Sequence, residues 1–206
     1  MQNTSKFRDE LPLMEHFYTI QGEGFHQGKA SYFIRFGGCD LGCSWCDVKE
    51  SWDAGNYPLV NVDTIIDAVK ATGARMCVVT GGEPMVHDLS LLTQKLHENN
   101  VLANVETSGA YPITGDWEWI CVSPKRFKLP LDSSLKMASE LKVVINHAND
   151  FRFAEQFVPK LKPGCKLFLQ PEWSKEKEIL PLIIEYVKQH QQWEISLQIH
   201  KYMNIP

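Results

Sequence analysis

Three cysteines fall within one short stretch, Cys39-Asp-Leu-Gly-Cys43-Ser-Trp45-Cys46, directly after an apolar run at residues 31–36. Three thiolates at CxxxCxxC spacing hold a metal centre without saturating it. A tetrahedral structural zinc takes four protein ligands, and a 4Fe-4S cluster takes one ligand for each iron. The open position is filled either by a protein ligand from elsewhere, as in a zinc knuckle, or by a group that is not protein. Cys77, Cys121 and Cys165 each stand alone in an apolar run. A thiol there behaves as a small buried hydrophobe, so these three are expected in the core.

A second motif bears on that choice. Gly81-Gly82-Glu83-Pro84 ends the apolar run 76–80, where glycines leave backbone groups open to bond the amino group of a methionyl moiety. An open iron chelated by the amino and carboxylate groups of S-adenosylmethionine brings the sulfonium within reach of a cluster electron. The two motifs, in this order and separated by one helix and one strand, favour such a centre over zinc. Two more positions carry chemistry. Gln21-Gly22-Glu23-Gly24 sets a carboxylate between glycines that allow close backbone approach to a ligand, or simply a turn with a solvated Glu. Arg35, near the end of the run 31–36, suits a two-pronged grip on a carboxylate or a surface ion pair.

The elements that position these residues alternate in period. Residues 31–36 read as a strand. Val62, Ile65, Ile66 and Val69 mark an amphipathic helix between an Asn61 cap and a Gly73 stop. Strands are expected at 76–80, 101–106, 119–122, 141–145, 166–169 and 194–200. Asp88 is expected to cap a helix carrying Leu89, Leu92 and Leu96, and Asn149 one running to about Lys160. The last helix holds Ile179, Leu182, Ile183, Tyr186 and Val187 on one face, with Pro181 in its first turn. This α/β alternation implies right-handed crossovers and a mainly parallel sheet, with sites at the carboxyl ends of its strands. The units are too few for a closed eight-fold barrel. The reading is an incomplete (β/α) barrel forming one domain over 1–206, with 1–13 as a polar N-terminal extension.

Composition fits a soluble globular chain, 44% hydrophobic and 22% charged. A net charge of -4 argues against nucleic-acid binding, which needs a basic face. No apolar run is long enough to span a membrane and the start lacks a signal-peptide core. A cytoplasmic location, where thiols stay reduced, is expected.

CxxxCxxC with Trp45 before its last cysteine, joined to GGEP, resembles the radical S-adenosylmethionine superfamily. The wider set is more specific: 19–24 (Thr-Ile-Gln-Gly-Glu-Gly), 33–35, 39–47, 80–84, 105–109, 122–125, 169–171 and the ending His200-Lys-Tyr-Met-Asn-Ile-Pro206. Together these resemble the 7-carboxy-7-deazaguanine synthase family, from residue 14 to the end. The resemblance implies a radical lyase of queuosine and 7-deazapurine biosynthesis that turns 6-carboxy-5,6,7,8-tetrahydropterin into 7-carboxy-7-deazaguanine and ammonia. It begins with hydrogen abstraction at C6, contracts the ring, and uses S-adenosylmethionine as a true cofactor.

It also implies residue roles. Cys39, Cys43 and Cys46 hold the 4Fe-4S cluster. Trp45, Cys46, Asp47, Gly82, Glu83, Ser123, Pro124, Lys125 and Gln170 line S-adenosylmethionine. Ile20, Gln21, Gly22, Glu23, Arg35, Thr80, Glu106, His200 and the carboxylate of Pro206 line the substrate, with Arg35 on its carboxylate. The family pattern places a hydroxyl ligand for magnesium two residues after the third cysteine. Here that residue is Val48, which offers a hard cation no oxygen. Weak or absent magnesium dependence is expected: either the ion is absent, or other oxygens hold it, or Lys49 or another cation neutralises the substrate carboxylate. Implied partners are a flavodoxin or ferredoxin reductant and a second copy of the chain, joined through residues 151–157 or the last helix. A glycyl-radical activating protein shares CxxxCxxC and GGEP but must admit a protein loop, to which the glycine-carboxylate loop and the His-Lys-Tyr ending are less suited.

Overall fold

The computed structural model describes residues 9–206. A nine-stranded sheet forms its centre. Strand β1 (Glu10–Ile20) runs antiparallel to β2 (Ala30–Phe36), and β3 (Leu59–Asn61) pairs with the start of β1. From β2 onward neighbouring strands are parallel: β4 (Met76–Gly81), β5 (Leu102–Thr107), β6 (Trp119–Val122), β7 (Glu140–Ile145), β8 (Lys166–Pro171) and β9 (Glu194–Ile195). Helices α1 (Val62–Thr72), α2 (Ser90–Glu98), α3 (Asp132–Met137), α4 (Asn149–Glu155) and α5 (Glu176–Gln189) make the crossovers, and α6 (Ile199–Met203) follows β9.

The sheet is open between β3 and β9 but curls. Gly24 N–H donates to Ser196 Oγ (2.9 Å) and Ile199 N–H to the Gly22 carbonyl (3.0 Å), so the loop after β1 meets the segment after β9 without strand pairing. Alternation along each strand then divides the chemistry. On β7, Leu141, Val143 and Ile145 pack in the apolar core, whereas Glu140, Lys142 and Val144 face interior cavities. On β5, Ala103 and Val105 join that core, and Asn104 and Glu106 face inward. A strand pattern with polar residues at every second place thus lines a barrel interior instead of water.

Local signals explain most boundaries. Asn61 Oδ1 accepts from Asp63 N–H (2.8 Å), and Gly73 closes α1 in the left-handed region at φ 69°. Asp88 Oδ1 accepts from Ser90 N–H (3.0 Å) one residue ahead of the α2 cap position. Cys77 and Cys121 are buried, and Cys165 packs against the core.

Several expectations are corrected. Residues 10–13 are not part of an extension: they open β1, with Leu11 and Leu13 buried, and residues 1–8 lie outside the described ones. Asn149 does not cap α4. Asp150 does that work in reverse, its Oδ2 accepting Asn146 N–H (2.8 Å) and His147 N–H (3.1 Å), and the helix ends at Glu155 before a short 3-10 turn. Pro181 lies inside α5, on its exposed side, where it has no N–H to donate to the preceding turn. Leu182 is likewise exposed. The run 194–200 pairs for two residues and then turns into α6, because Gln198 and His200 find partners across the barrel mouth instead of along β8. Helix α3, six residues long, is too short to show a period in the sequence. Among the described residues no helix is long and apolar enough to cross a membrane.

Candidate active site

Two cavities open side by side at the carboxyl ends of the strands. The first, about 200 Å³, is walled by Cys39, Cys43 and Cys46 on one side and by Gly82, Ser123, Lys125 and Gln170 on the other. The second, about 310 Å³, lies beneath the C-terminal segment, among Ile20, Gly22, Arg35, Val48, His200, Lys201 and Pro206. Glu23, Asp47, Thr80, Glu106 and Gln198 line both.

The cysteine loop is fixed by the strands beneath it. Gly38 N–H and Cys39 N–H donate to the carbonyls of Ser51 (2.7 Å) and Trp52 (3.0 Å), while Glu83 N–H donates to the Gly38 carbonyl (2.8 Å). The end of β4 lies so close that a Cβ at Gly82 would sit 2.5 Å from the Gly38 carbonyl oxygen and 2.6 Å from Cys39 Cβ. Glycine is therefore a packing requirement here. Glu83, 1% exposed, faces inward and accepts from Met85 N–H (3.0 Å), Thr107 Oγ1 (2.5 Å), Ser108 N–H (2.7 Å) and Ser108 Oγ. Its carboxylate clamps the end of β5 to the end of β4.

Burial pushes the Cys39 and Cys43 thiols up, with the Lys125 ammonium working against this at Cys43. Burial in turn lowers Lys125, which donates to Ser123 Oγ (2.7 Å) and stands 5.2 Å from the centre of the Trp45 ring. Gln170 Oε1 accepts from Ser196 Oγ (2.8 Å). Pro124 lies away from this wall, in an adjoining cavity of about 190 Å³ that also touches Cys43 and Trp45.

On the second cavity, Arg35 Nε is held by Glu15 Oε1 at 2.6 Å. His200 packs so tightly on the loop after β1 that a Cβ at Gly22 would lie 2.2 Å from its Nδ1. Burial lowers the His200 imidazole, favouring its neutral form. Lys201 Nζ reaches Asp47 Oδ2 (2.8 Å), tying the C-terminal segment to the cysteine loop, and Thr19 Oγ1 donates to the Pro206 carbonyl (3.3 Å). Lys49 is exposed and lines neither cavity; Lys201 is the lysine that lines the second.

Between the cavities lies a group that the sequence reading missed. Lys142, its side chain 3% exposed, bridges Glu23 Oε2 (2.5 Å) and Glu106 Oε2 (2.7 Å). Gln198 Nε2 donates to Glu23 Oε1 (2.8 Å) and Gln21 Nε2 to Glu106 Oε1 (2.9 Å). Burial alone raises the Glu23 carboxyl, but the Lys142 ammonium reverses this and holds it down at about 2. The signal was present: a lone lysine inside the run Leu141-Lys-Val-Val-Ile145.

The residues gathered here agree with relationships across the whole chain. The Radical SAM superfamily model matches residues 33–146. A 7-carboxy-7-deazaguanine synthase from Flavobacterium psychrophilum is 54% identical over 95% of this chain and 93% of its own length. The chain belongs to the 7-carboxy-7-deazaguanine synthase family. The synthase of that name from Escherichia coli K12 is 32% identical over 95% of this chain and 99% of its own. The crystal structure of QueE from Escherichia coli shares the fold at a TM-score of 0.83 and 30% identity, covering 92% of this chain and 94% of that one. As in any radical SAM family, a 4Fe-4S cluster and S-adenosylmethionine are the implied cofactors. Three thiols share the wall of one cavity, which is the donor chemistry such a cluster takes, although among the described residues no three His, Cys, Asp or Glu side chains converge as a metal site.

Proposed function

We propose that this 7-carboxy-7-deazaguanine synthase family member converts 6-carboxy-5,6,7,8-tetrahydropterin into 7-carboxy-7-deazaguanine with release of ammonia. The observation that carries this reading is the set of residues common to the two cavities, Glu23, Asp47, Thr80, Glu106 and Gln198, which sets a cofactor and a small substrate side by side. Cys39, Cys43 and Cys46 would hold the cluster, whose electron would cleave the sulfonium of bound S-adenosylmethionine and so supply a hydrogen-abstracting radical. Gly82 exposes backbone to the methionyl part. Trp45, Asp47, Ser123, Lys125 and Gln170 offer an aromatic face, hydroxyl, ammonium and amide groups to the rest. Glu83 acts indirectly, by fixing the loop.

On the substrate side, Arg35 and Lys201 bring positive charge to the pterin carboxylate. Glu23 and Glu106 offer acceptors to its N–H-bearing pyrimidine edge, and His200 and Pro206 close over it. A magnesium ion does not fit the family's position, since Val48 supplies no oxygen. Lys201, in the same cavity, provides the compensating charge. A one-electron donor such as flavodoxin or ferredoxin, a cytoplasmic location that keeps the thiols reduced, and a homodimer complete the proposal. Residues 151–157 are poor candidates for the dimer contact, because Phe151 stacks on Tyr186 and Phe157 is buried. The exposed Leu182 and Ile184 of α5 are better ones. Activation of a glycyl-radical enzyme is not favoured: the C-terminal segment covers the cavity through which a protein loop would enter.

Anaerobic turnover of the reconstituted, reduced protein tests the reading, with product followed by mass and magnesium varied. Product in many-fold excess over S-adenosylmethionine consumed is expected, with less than about twofold stimulation by magnesium in wild type and a larger one in Val48→Thr. Cofactor cleavage without that product would discard the substrate assignment. Equal, strong stimulation of both proteins would discard the metal argument.

A further inference from the structure

Lys142 closes a ring. Its ammonium joins Glu23 to Glu106, a glutamine holds the far oxygen of each carboxylate, and Glu23 N–H donates to Gln21 Oε1 (3.0 Å), linking the two glutamines' sides. The members come from the loop after β1, from β5, from β7 and from the segment after β9, so the ring forms only when the barrel has curled. Burying a lysine in such an interior is unfavourable unless it is fully paired. Both of its partners are also exposed to the substrate cavity. Two carboxylates and one ammonium leave a net charge of one minus, carried by acceptor oxygens whose directions the ring has fixed.

We propose that Lys142 is a positioning residue for substrate recognition, pairing Glu23 with Glu106 and aiming both carboxylates at the N–H-bearing edge of the pterin. The inference rests on the proposed reading that the pterin occupies the second cavity. Without the ammonium, two neighbouring carboxylates would share a proton, as like charges in one site do. One acceptor would become a donor facing a donor. Other groups that face the ring are Glu140 from β7, Cys121 from β6, Lys125 beyond β6 and His200 from α6. Burial pushes His200 below its ordinary range and the Lys142 ammonium adds to this, so Lys142→Met raises it; a limb that disappears when His200→Asn is added to Lys142→Met belongs to His200 and overturns the proposal.

The test uses the loaded enzyme with S-adenosylmethionine. Lys142→Met is expected to raise KM for 6-carboxytetrahydropterin by about tenfold or more at pH 7, with a smaller fall in kcat, and to give kcat/KM a new acid limb between about pH 6.5 and 8. Activity recovers as pH rises, because deprotonation restores the second acceptor. Adding Glu23→Gln to Lys142→Met returns the net charge to one minus and is expected to abolish the limb. An unchanged KM with a flat profile in Lys142→Met, or a limb that survives in the double variant, overturns the proposal. If Lys142→Met does not fold, carboxyl-carbon NMR of the wild type decides: Glu23, assigned through Glu23→Gln, must not titrate between pH 5 and 8, and a titration there overturns it. Failure of the wild type to turn over the pterin would instead overturn the functional reading.

Discussion

At the scale of single residues, burial separates side chains that do chemistry from those that hold them in place. Glu83 belongs to the family's signature tetrapeptide, yet four donors occupy its carboxylate. Glu83→Ala would leave buried donors on Met85, Thr107 and Ser108 unmet and should cost about 3 kcal/mol in denaturant unfolding. Glu83→Gln should lose less, since its amide oxygen still accepts. A loss below about 1 kcal/mol for Glu83→Ala would show that water replaces the carboxylate. Lys142 is the converse. From sequence it is one charge in an apolar strand, and its meaning depends on Glu23 and Glu106, far away in the chain. The cysteines were legible because their spacing is local, whereas Lys142 was not because its partners are not.

At the scale of elements, the close approach of β4 to the cysteine loop sets the site's accuracy. Gly82→Ala should push Gly38 and Cys39 apart. A displacement of that kind near reacting groups costs about 10²-fold in kcat/KM, and iron content after reconstitution should fall with it. Full iron loading and normal turnover in Gly82→Ala would mean that the loop yields freely. Helix α5 offers a contrast far from the chemistry. Pro181 removes a backbone hydrogen bond on an exposed helix face, so Pro181→Ala should stabilise the protein by about 1–3 kcal/mol, with turnover unchanged. An unchanged or lowered melting temperature would show that Pro181 fixes the entry of α5 from the preceding 3-10 turn. The capped helix α1 could be read to the residue, since Asn61 and Gly73 act on their own backbone neighbours. Helix α3 and the two-residue β9 could not, being made by packing.

At the scale of the whole molecule, curling of an open sheet brings the loop after β1 against the C-terminal segment, and that meeting makes the second cavity. Asn204 turns the chain in the left-handed region at φ 54°, Ile205 N–H bonds the His200 carbonyl (3.1 Å), and Pro206 is delivered to the end of β1. Removing Ile205 and Pro206 should therefore raise KM for the pterin by about tenfold or more, equivalent to about 1.4 kcal/mol, while S-adenosylmethionine affinity stays within about twofold of wild type, well under that energy. A parallel loss of cofactor affinity would mean that the segment supports the cysteine cavity too, through Lys201 and Asp47. The sequence by itself determined the alternating strands and helices, the cysteine triplet, the glycine-rich strand end and the absence of a hydroxyl at Val48. Each of these is a matter of residue type, spacing or local periodicity. Only the tertiary structure decided that 194–200 becomes a cover instead of a strand, that Lys201 and not Lys49 reaches the second cavity, and that Lys142 joins two distant carboxylates. Those outcomes depend on which side chains meet across a curled sheet, and charge pairing in a dry interior is decided by distances that no local pattern encodes.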